Sequence, residues 1–537
     1  YDQNEGFQII NEIHERIKIY NKEGFEKSNI SINYYKPSSG KNEKISSLKG
    51  YSYNIEDGKL KKQKLSKSSI FDEELTKYRS AKKITFPNIK EGTVLELKYK
   101  LTSPYYTSID DLEFQYDIPV KQLEYQVEIP EYFIFKKKSK GYYSIPVRSS
   151  TKRGEFNFSS KSRSGGGLYS GVKTTYNNSK LSFQKKINIY NAANIPALKG
   201  NEPYVGSIKS YRGGVSYELE STKFPNSPLK FYSTDWSDVS KQIYKSSSFG
   251  GQIEKTSYFK NDLPDVIQEA TTDIEKTFAI FQFVKSKVKW NEYYGKYTDV
   301  GVRKAYKEGT GNVADINLIL TSMLREAGLE ANPVLVSTRK NGIPLFPTLD
   351  GFNYVITMVN FANNKYVLLD ATEPYSTPNI LPVRALNWNG RKVTKGGSSS
   401  WVKLTSSNLA LEENNISVKI SEDGIVSGLL RTKYDNLNAQ NYRRAYNHLK
   451  EDEVIKRTEE KHNIEIDNFR ITNQNDLGKP LSLMAKFSSE DLVEEINGKL
   501  YINPLLFLTQ NENPFKSEER KFPVDFASPW KDTNKVS

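Results

Sequence analysis

Across residues 1–232, apolar and polar positions alternate with the two-residue period of half-buried β-strands. Ile13–Tyr20 (IHERIKIY) shows this pattern clearly. In Ser52–Leu65, two alternating runs flank a Glu-Asp-Gly turn, and Ile84–Lys100 repeats the hairpin pattern. The glycine- and serine-rich segment Ser160–Ser170 predicts a loop. Short strands at this spacing predict a β-rich domain over residues 1–232, built as one or two β-sandwich-type subdomains.

Near residue 233 the apolar period lengthens to three and four residues, which is typical of helices. The recurring apolar positions in Asp262–Lys289 predict one such helix. These positions are Ile274, Phe278, Phe281 and Val284. A second helix is predicted after Gly311, followed by three strands. These predicted strands are Pro333–Thr338, Phe352–Phe361 and Lys365–Ala371. Residues 233–395 are therefore predicted to form an α+β domain.

Beyond residue 395, the composition of Gly396–Ser400 predicts a linker. Strand patterns return in Asn415–Thr432 and from Ile464 onward, on either side of a charged helical stretch at Asn438–His462. Residues 401–537 are predicted to form a C-terminal β-rich domain with one helix. We expect that domain to be incomplete, because the chain ends without a closing element. The fold class is thus α+β multidomain.

The sequence contains no cysteine, which excludes disulfide bonds, thiolate metal sites and cysteine nucleophiles. Its three histidines, His14, His448 and His462, lie far apart in the sequence, so we expect no metal site. We expect no cofactor either. No apolar run reaches the ~18 residues that a membrane-spanning helix needs, so no transmembrane segment is predicted.

The formal net charge of +14 comes from lysine spread along the chain. The densest runs, Lys59–Lys67 and Lys136–Lys140, adjoin strand-like sequence, which favours solvent-exposed strand edges protected by lysine. The alternative is contact with an anionic surface such as lipid headgroups, a glycan or an acidic protein. Nucleic acid is not an expected partner, because no recognised binding motif accompanies the charge.

The segment GTGNVADINLILTSMLREAG (residues 309–328) has the signals of a well-defined helix. Asn312 is a good N-cap, Asp315 completes a capping-box pair, and Gly328 ends the helix. Val313 is therefore the first helical residue. A thiol at this position would have its pKa lowered by the helix dipole, whereas a valine offers only packing.

The sequence from Gly311 to Asp315, with the apolar helix and strand that follow, resembles the nucleophile helix of the bacterial transglutaminase-like superfamily. That family begins the helix with Gly-x-Cys-x-Asp. Phe352–Ile356 resembles the strand that carries the family's histidine, and Leu369–Thr372 resembles the strand that carries its aspartate. The resemblance implies a papain-like α+β fold for residues 233–395.

Carried over residue by residue, the cysteine position of the family is Val313, the histidine position is Tyr354, and only Asp370 keeps its residue. No histidine occurs between residues 235 and 400, so a shifted alignment cannot restore the triad. We expect Asp370 to act as a hydrogen-bonding residue at a strand end. Tyr354 is expected to fill the histidine site, with its hydroxyl bonded to Asp370.

Three further residues are candidates for the remnant cleft. They are Trp290, Asn312 and Asp315. Each also has a structural interpretation: Trp290 as a core residue, and the other two as the start of the helix. Asp315 and Asp370 are in addition the candidates for a carboxylate pair.

Residues 84–135 and 515–530 resemble the β-rich domains that flank transglutaminase-like domains in secreted proteins of Gram-negative bacteria. This resemblance implies a signal peptide, export, and a location in the periplasm or at the cell surface. It predicts further strands before Tyr1 and after Ser537.

Three functions remain open at this point. The first is a non-catalytic scaffold or protein-binding subunit whose partners are other envelope proteins, in an assembly associated with the outer membrane. The second is binding of a peptide or glycan in the remnant cleft. The third is a hydrolase that uses the carboxylates of Asp315 and Asp370 in place of a thiol.

Overall fold

The computed structural model describes residues 1–2, 5–37, 40–76, 78–164, 173–200, 202–232, 235–516 and 518–537. The chain folds as two compact units. The first comprises Tyr1–Phe114, Val120–Ile195 and Gly213–Tyr232. The second comprises Gln115–Pro119, Pro196–Arg212 and Ser233–Ser537.

The first unit is built of β-strands. They are β1 (Ile9–Lys18), β2 (Asn29–Tyr35), β3 (Lys44–Glu56), β4 (Lys59–Lys64), β5 (Ile70–Thr76), β6 (Arg79–Thr85), β7 (Val94–Ser103), β8 (Ser108–Glu113), β9 (Val120–Pro130), β10 (Phe133–Lys140), β11 (Val147–Ser164), β12 (Lys173–Ile195), β13 (Gly214–Thr222) and β14 (Lys230–Phe231).

Four antiparallel sheets organise these strands. The sheets β1-β7-β3-β4 and β2-β6-β5 share one core, in which Ile32 and Ile84 of one sheet meet Leu95 and Leu97 of the other. The other two sheets are β10-β13-β14, with β8 also paired to β13, and β11-β12-β9. The predicted β-rich N-terminal fold is confirmed. Both lysine runs lie on edge strands, β4 and β10, as the edge-protection hypothesis predicts.

The two predicted hairpins differ in outcome. The hairpin in Ser52–Leu65 is present as β3 and β4, joined by Asp57 and Gly58 with positive φ angles. The second prediction was wrong, because β6 and β7 lie in different sheets of the sandwich. Apolar and polar residues alternate in the same way whether two consecutive strands pair as a hairpin or lie in different sheets. The sequence pattern therefore could not distinguish the two arrangements. Of the predicted loop Ser160–Ser170, residues 160–164 belong to β11; residues 165–170 lie outside the described residues.

From Trp236 onward, the second unit is at first mainly helical. Its helices are α1 (Trp236–Lys245), α2 (Gly250–Ile253), α3 (Asp262–Ile267), α4 (Asp273–Lys287), α5 (Val302–Glu308) and α6 (Val313–Glu326). Two short strands, β15 (Lys289–Trp290) and β16 (Thr310–Gly311), pair in parallel. A further set of strands forms one sheet in the order β19-β18-β17-β20-β21. These are β17 (Glu330–Val336), β18 (Tyr354–Asn360), β19 (Tyr366–Leu369), β20 (Asn389–Val393) and β21 (Ser399–Lys403).

Helix α6 lies at the centre of this core. The sequence predicts one apolar stripe on it, but every residue from Val313 to Leu324 is buried. Its polar side chains are therefore satisfied inside the protein. Thr321 donates to the Asn317 carbonyl at 2.8 Å and lies 2.9 Å from Thr357 Oγ1, while Ser322 donates to the Ile253 carbonyl at 2.7 Å. Helices cover the side of α6 that faces away from the sheet, which a stripe pattern does not reveal.

The predicted linker at Gly396–Ser400 forms a tight turn and the start of β21. Gly396 and Gly397 both have φ of +88°, and the Thr394 amide donates to the Ser398 carbonyl at 2.8 Å. Glycine and serine favour a flexible linker and a tight turn alike, so composition could not decide between them. The β20–β21 hairpin thus extends the central sheet.

A second sheet of five strands ends the chain, in the order β24-β25-β23-β22-β28. Its strands are β22 (Ala410–Ile420), β23 (Val426–Asp435), β24 (Glu465–Thr472), β25 (Leu481–Ser489) and β28 (Trp530–Val536), and a separate hairpin pairs β26 (Val493–Ile496) with β27 (Lys499–Ile502). Where the sequence predicts one helix, the structure has α7 (Asn436–Tyr446) and α8 (Glu451–His462). The acidic residues from Glu451 to Glu453 start the second helix. The residue ranges of the three domains remain predictions from the sequence.

Substitution of Gly390 in β20 tests whether this hairpin belongs to the central sheet. A Cβ at Gly390 would lie 2.5 Å from Val334 Cγ1 and 3.1 Å from the Leu335 carbonyl oxygen. We expect Gly390→Ala to lower the free energy of unfolding by about 2 kcal/mol, measured by urea denaturation. The matched control is Gly251→Ala, where a Cβ meets nothing closer than 3.6 Å. Equal stability of the two variants would contradict the packing of β20 on β17.

Candidate functional site

The start of α6 is fixed by a reciprocal pair of hydrogen bonds. Asn312 Oδ1 accepts from the Asp315 amide at 2.8 Å, and Asp315 Oδ2 accepts from the Asn312 amide at 3.0 Å. Gly311 precedes the cap because a Cβ there would lie 2.7 Å from Asp315 Cβ and 3.0 Å from Ala305 Cβ. Val313 is the first helical residue, and its side chain has no exposed surface. The capping box predicted from the sequence is confirmed.

The Val313 amide is not free to act on a ligand. It donates to the Tyr293 carbonyl at 3.3 Å, and the Trp290 indole donates to the same oxygen at 3.1 Å. In acyl-transfer enzymes the amide of the nucleophile often supplies one donor of the oxyanion hole. Here the Val313 amide already donates to the Tyr293 carbonyl. The position therefore has neither a nucleophilic side chain nor an available oxyanion donor.

Tyr354, the first residue of β18, is fully buried beside Asp370. Its hydroxyl donates to Asp370 Oδ2 at 2.7 Å, the hydrogen bond expected from the sequence, and lies 2.7 Å from Thr372 Oγ1. Burial, followed by the negative charge of Asp370, raises the pKa of the Tyr354 hydroxyl well above its ordinary value. Tyr354 therefore stays protonated at neutral pH and cannot serve as the general base that an imidazole provides.

Asp370 follows the last residue of β19 and has no exposed surface. Its Oδ1 accepts from the Asn317 amide group at 3.1 Å, the Thr372 backbone amide at 3.0 Å and the Thr372 hydroxyl at 2.6 Å. Its Oδ2 accepts from Tyr354. Both oxygens are occupied by groups of the protein, which is the arrangement of a structural carboxylate.

Arg384 joins this network and was missed by the sequence reasoning. Its guanidinium lies 4.5 Å from the centroid of the Trp290 ring, and its Nε donates to Tyr354 Oη at 3.0 Å. The other nitrogens donate to Thr372 Oγ1 at 2.9 Å and to Glu373 Oε2 at 3.2 Å. One signal could have found it: Arg384 is the single charged residue in the mostly apolar run from Leu381 to Trp388.

A second buried cation, Lys285, lies close to Glu373. Lys285 donates to the carbonyls of Ser376 at 2.7 Å and Pro374 at 3.2 Å. Burial lowers the pKa of Lys285 to about 8, although the negative charge of Glu373 opposes the shift. Arg444 of α7 also approaches Glu373 Oε2, at 3.6 Å. Glu373 is thus ion-paired with Arg384 and with Arg444 of α7, and interacts electrostatically with Lys285 of α4.

Asp315 belongs to a separate network. Besides the Asn312 amide, its carboxylate accepts from the amides of Gly301 at 2.9 Å, Asp299 at 3.3 Å and Val300 at 3.4 Å. Burial raises the pKa of Asp315, while these amides act in the opposite direction. Asp315 therefore holds the loop before α5 against the start of α6. Within the described residues, the Asp315 and Asp370 carboxylates have no hydrogen-bond partner in common.

Trp290 is the partly exposed member of the candidate cleft residues. It packs edge-on against Tyr294 at 5.5 Å, and Tyr294 in turn lies 5.8 Å from the Tyr354 ring. The structure thus brings Trp290, Tyr354 and Asp370 together through Arg384, while Asn312 and Asp315 form the helix cap. Among the described residues, no group of three histidine, aspartate or glutamate side chains is arranged to hold a metal ion.

Two family models match the chain. Residues 9–163 match a Domain of Unknown Function with a solved structure (DUF3857), and residues 262–371 match the transglutaminase-like superfamily. The fold is similar to the crystal structure of a "putative protease" from Parabacteroides distasonis ATCC 8503, with a TM-score of 0.52 and 11% identity over 90% of each chain. At this identity the similarity concerns the fold alone. No curated protein matches the chain.

The chain therefore carries a DUF3857 domain followed by a transglutaminase-like domain. The family resemblance drawn from the start of α6 and from strands β18 and β19 is confirmed. The N-terminal resemblance is confirmed too, over a longer range than residues 84–135.

Removal of the Tyr354 hydroxyl tests how much the hydrogen bonds among Tyr354, Asp370 and Arg384 contribute to the free energy of unfolding. Tyr354→Phe leaves a buried Asp370 oxygen and the Arg384 Nε without their partner, so we expect it to lower the free energy of unfolding by about 2–3 kcal/mol. Urea denaturation measures this loss. The control is Tyr501→Phe, because the Tyr501 side chain is 53% exposed and its hydroxyl is not part of a buried network. A Tyr354→Phe variant as stable as the control would contradict a stabilising role.

Proposed function

We propose that this protein is a non-catalytic member of the transglutaminase-like superfamily that acts as a scaffold or protein-binding subunit. One observation carries the proposal: Val313 is buried at the nucleophile position, with its amide bonded to the Tyr293 carbonyl. The adjoining Tyr354, Asp370 and Arg384 satisfy one another rather than a substrate. The domain has the family's fold although its own side chains fill the site. This combination supports a role that depends on the shape of the domain.

The other two functions receive less support from this geometry. A hydrolase based on Asp315 and Asp370 needs carboxylates that are free to act on water or substrate, but both groups accept several internal hydrogen bonds. Ligand binding in the remnant cleft needs accessible walls. Val313, Tyr354 and Asp370 have no exposed surface, which leaves Trp290 as the partly accessible candidate.

We further propose that the protein is exported and acts in the periplasm or at the surface of a Gram-negative bacterium, with other envelope proteins of an outer-membrane-associated assembly as partners. The resemblance to secreted multidomain proteins supports this location. Among the described residues, no helix is long and apolar enough to cross a membrane. Cell fractionation that finds the protein in the cytoplasm would contradict the location.

An activity assay tests the absence of catalysis. The purified protein is incubated with glutamine-containing peptides, with and without an amine acceptor, and ammonia release and amide cleavage are followed. We expect no turnover above background, because no general base and no nucleophile are available at Val313 and Tyr354. The matched variant is Asp370→Asn, which should give the same background. Turnover that Asp370→Asn lowers by about a hundredfold would contradict the proposal.

A further inference from the structure

The apolar stripe of α4 is covered along only part of its length. Phe281 and Val284, in the second half of the helix, have no exposed surface. Ile274 and Phe278, in the first half, are 68% and 45% exposed. The helical period predicted by the sequence is therefore correct, but the protein leaves the N-terminal part of the stripe open to solvent.

This open part forms one wall of a groove with a volume of about 960 Å³. Val266 and Ala270, at and after the end of α3, continue the apolar lining. Across the groove lie Phe361, Tyr366 and Val367, which come from the turn between β18 and β19 and from β19 itself. The groove shares no lining residue with the network of Tyr354, Asp370 and Arg384.

The backbone beside the groove disfavours an added β-strand. β19 is an edge strand, yet the Leu368 amide donates to Asn379 Oδ1 and the Leu368 carbonyl accepts from the Asn379 amide, both at 2.9 Å. Because alternate residues direct their backbone groups to the same edge, only the Tyr366 position of this short strand remains for pairing. An extended peptide would gain little there. A helix, which satisfies its own backbone, fits such a groove better.

The charges along the groove have the opposite sign to the net charge of the protein. Asp265, Glu269 and Glu275 line it, against the single cation of Lys365, which leaves an excess of two negative charges. The whole chain has a formal net charge of +14. Hydrogen bonds from Thr271 and Thr272 lower the pKa of Glu275 to about 2, so this carboxylate remains charged at neutral pH.

We propose that this groove docks an amphipathic, basic helix of a partner protein. Apolar side chains at three- and four-residue spacing would pack against Ile274, Phe278 and Tyr366, and lysine or arginine at the edge of the helix would face Asp265 and Glu269. The proposal goes beyond the scaffold function and does not depend on the absence of catalysis, since the two sites share no residue.

The probe is a fluorescein-labelled helical peptide of leucine and lysine, with leucine at i, i+3, i+4 and i+7 spacing, and fluorescence anisotropy follows its binding. We expect saturable binding that weakens with rising salt. Phe278→Ser should weaken it by about tenfold or more. Glu269→Lys should weaken binding and reduce its dependence on salt. The control is Leu345→Ser, because Leu345 is 64% exposed and lies outside the groove.

Further experiments separate this proposal from other occupants of the groove. A leucine–lysine peptide of the same composition in scrambled order, and a leucine–glutamate helix, should each bind at least about tenfold more weakly. Equal binding of either peptide, or equal affinity of the Phe278→Ser and Leu345→Ser variants, would overturn the proposal. Displacement of the helical peptide by laurate at lower concentration would indicate a small-molecule pocket instead. Concentration-dependent dimerisation abolished by Phe278→Ser would indicate that a second copy fills the groove.

Discussion

The transglutaminase-like domain depends on the hydrogen bonds that both oxygens of the Asp370 carboxylate accept from the protein. This buried charge accepts hydrogen bonds from α6 through Asn317, from β18 through Tyr354, and from its own chain at Thr372. An unpaired buried carboxylate would destabilise the fold by several kcal/mol. Displacement of any of these donors is therefore unfavourable. The central helix, the sheet and the loop after β19 are thereby joined at one point.

Arg384 extends this hydrogen-bond network to the Trp290 ring and to Glu373. Its stacking on Trp290 and its bonds to Tyr354 and Glu373 place a cation over the network. Glu373 in turn contacts Arg444 of α7. The residues at the family's catalytic positions thus contribute packing and charge pairing, which supports the proposed scaffold function.

The sequence predicts the elements of this domain well because they follow local rules. The start of α6 was predictable from Asn312 and Asp315, since a capping box is formed by residues close in the chain. The Tyr354–Asp370 hydrogen bond was predictable only through the family resemblance. Asn317 and Arg384 were not predicted, because their partners lie 53 and 30 residues away along the chain. The period of α4 likewise could not reveal that Ile274 and Phe278 lack a cover, because periodicity does not record which part of a stripe meets a neighbour.

We propose that the nucleophile site has been rebuilt as a packed core and not merely deprived of two side chains. The most direct test is the double variant Val313→Cys with Tyr354→His, in which the thiol pKa is measured by the pH dependence of its alkylation. We expect burial of the thiol to outweigh the helix dipole, so that the thiol is alkylated slowly, has a pKa at or above the ordinary value of about 8.5, and supports no amide hydrolysis. A thiolate formed below neutral pH, together with turnover of a glutamine peptide, would contradict it.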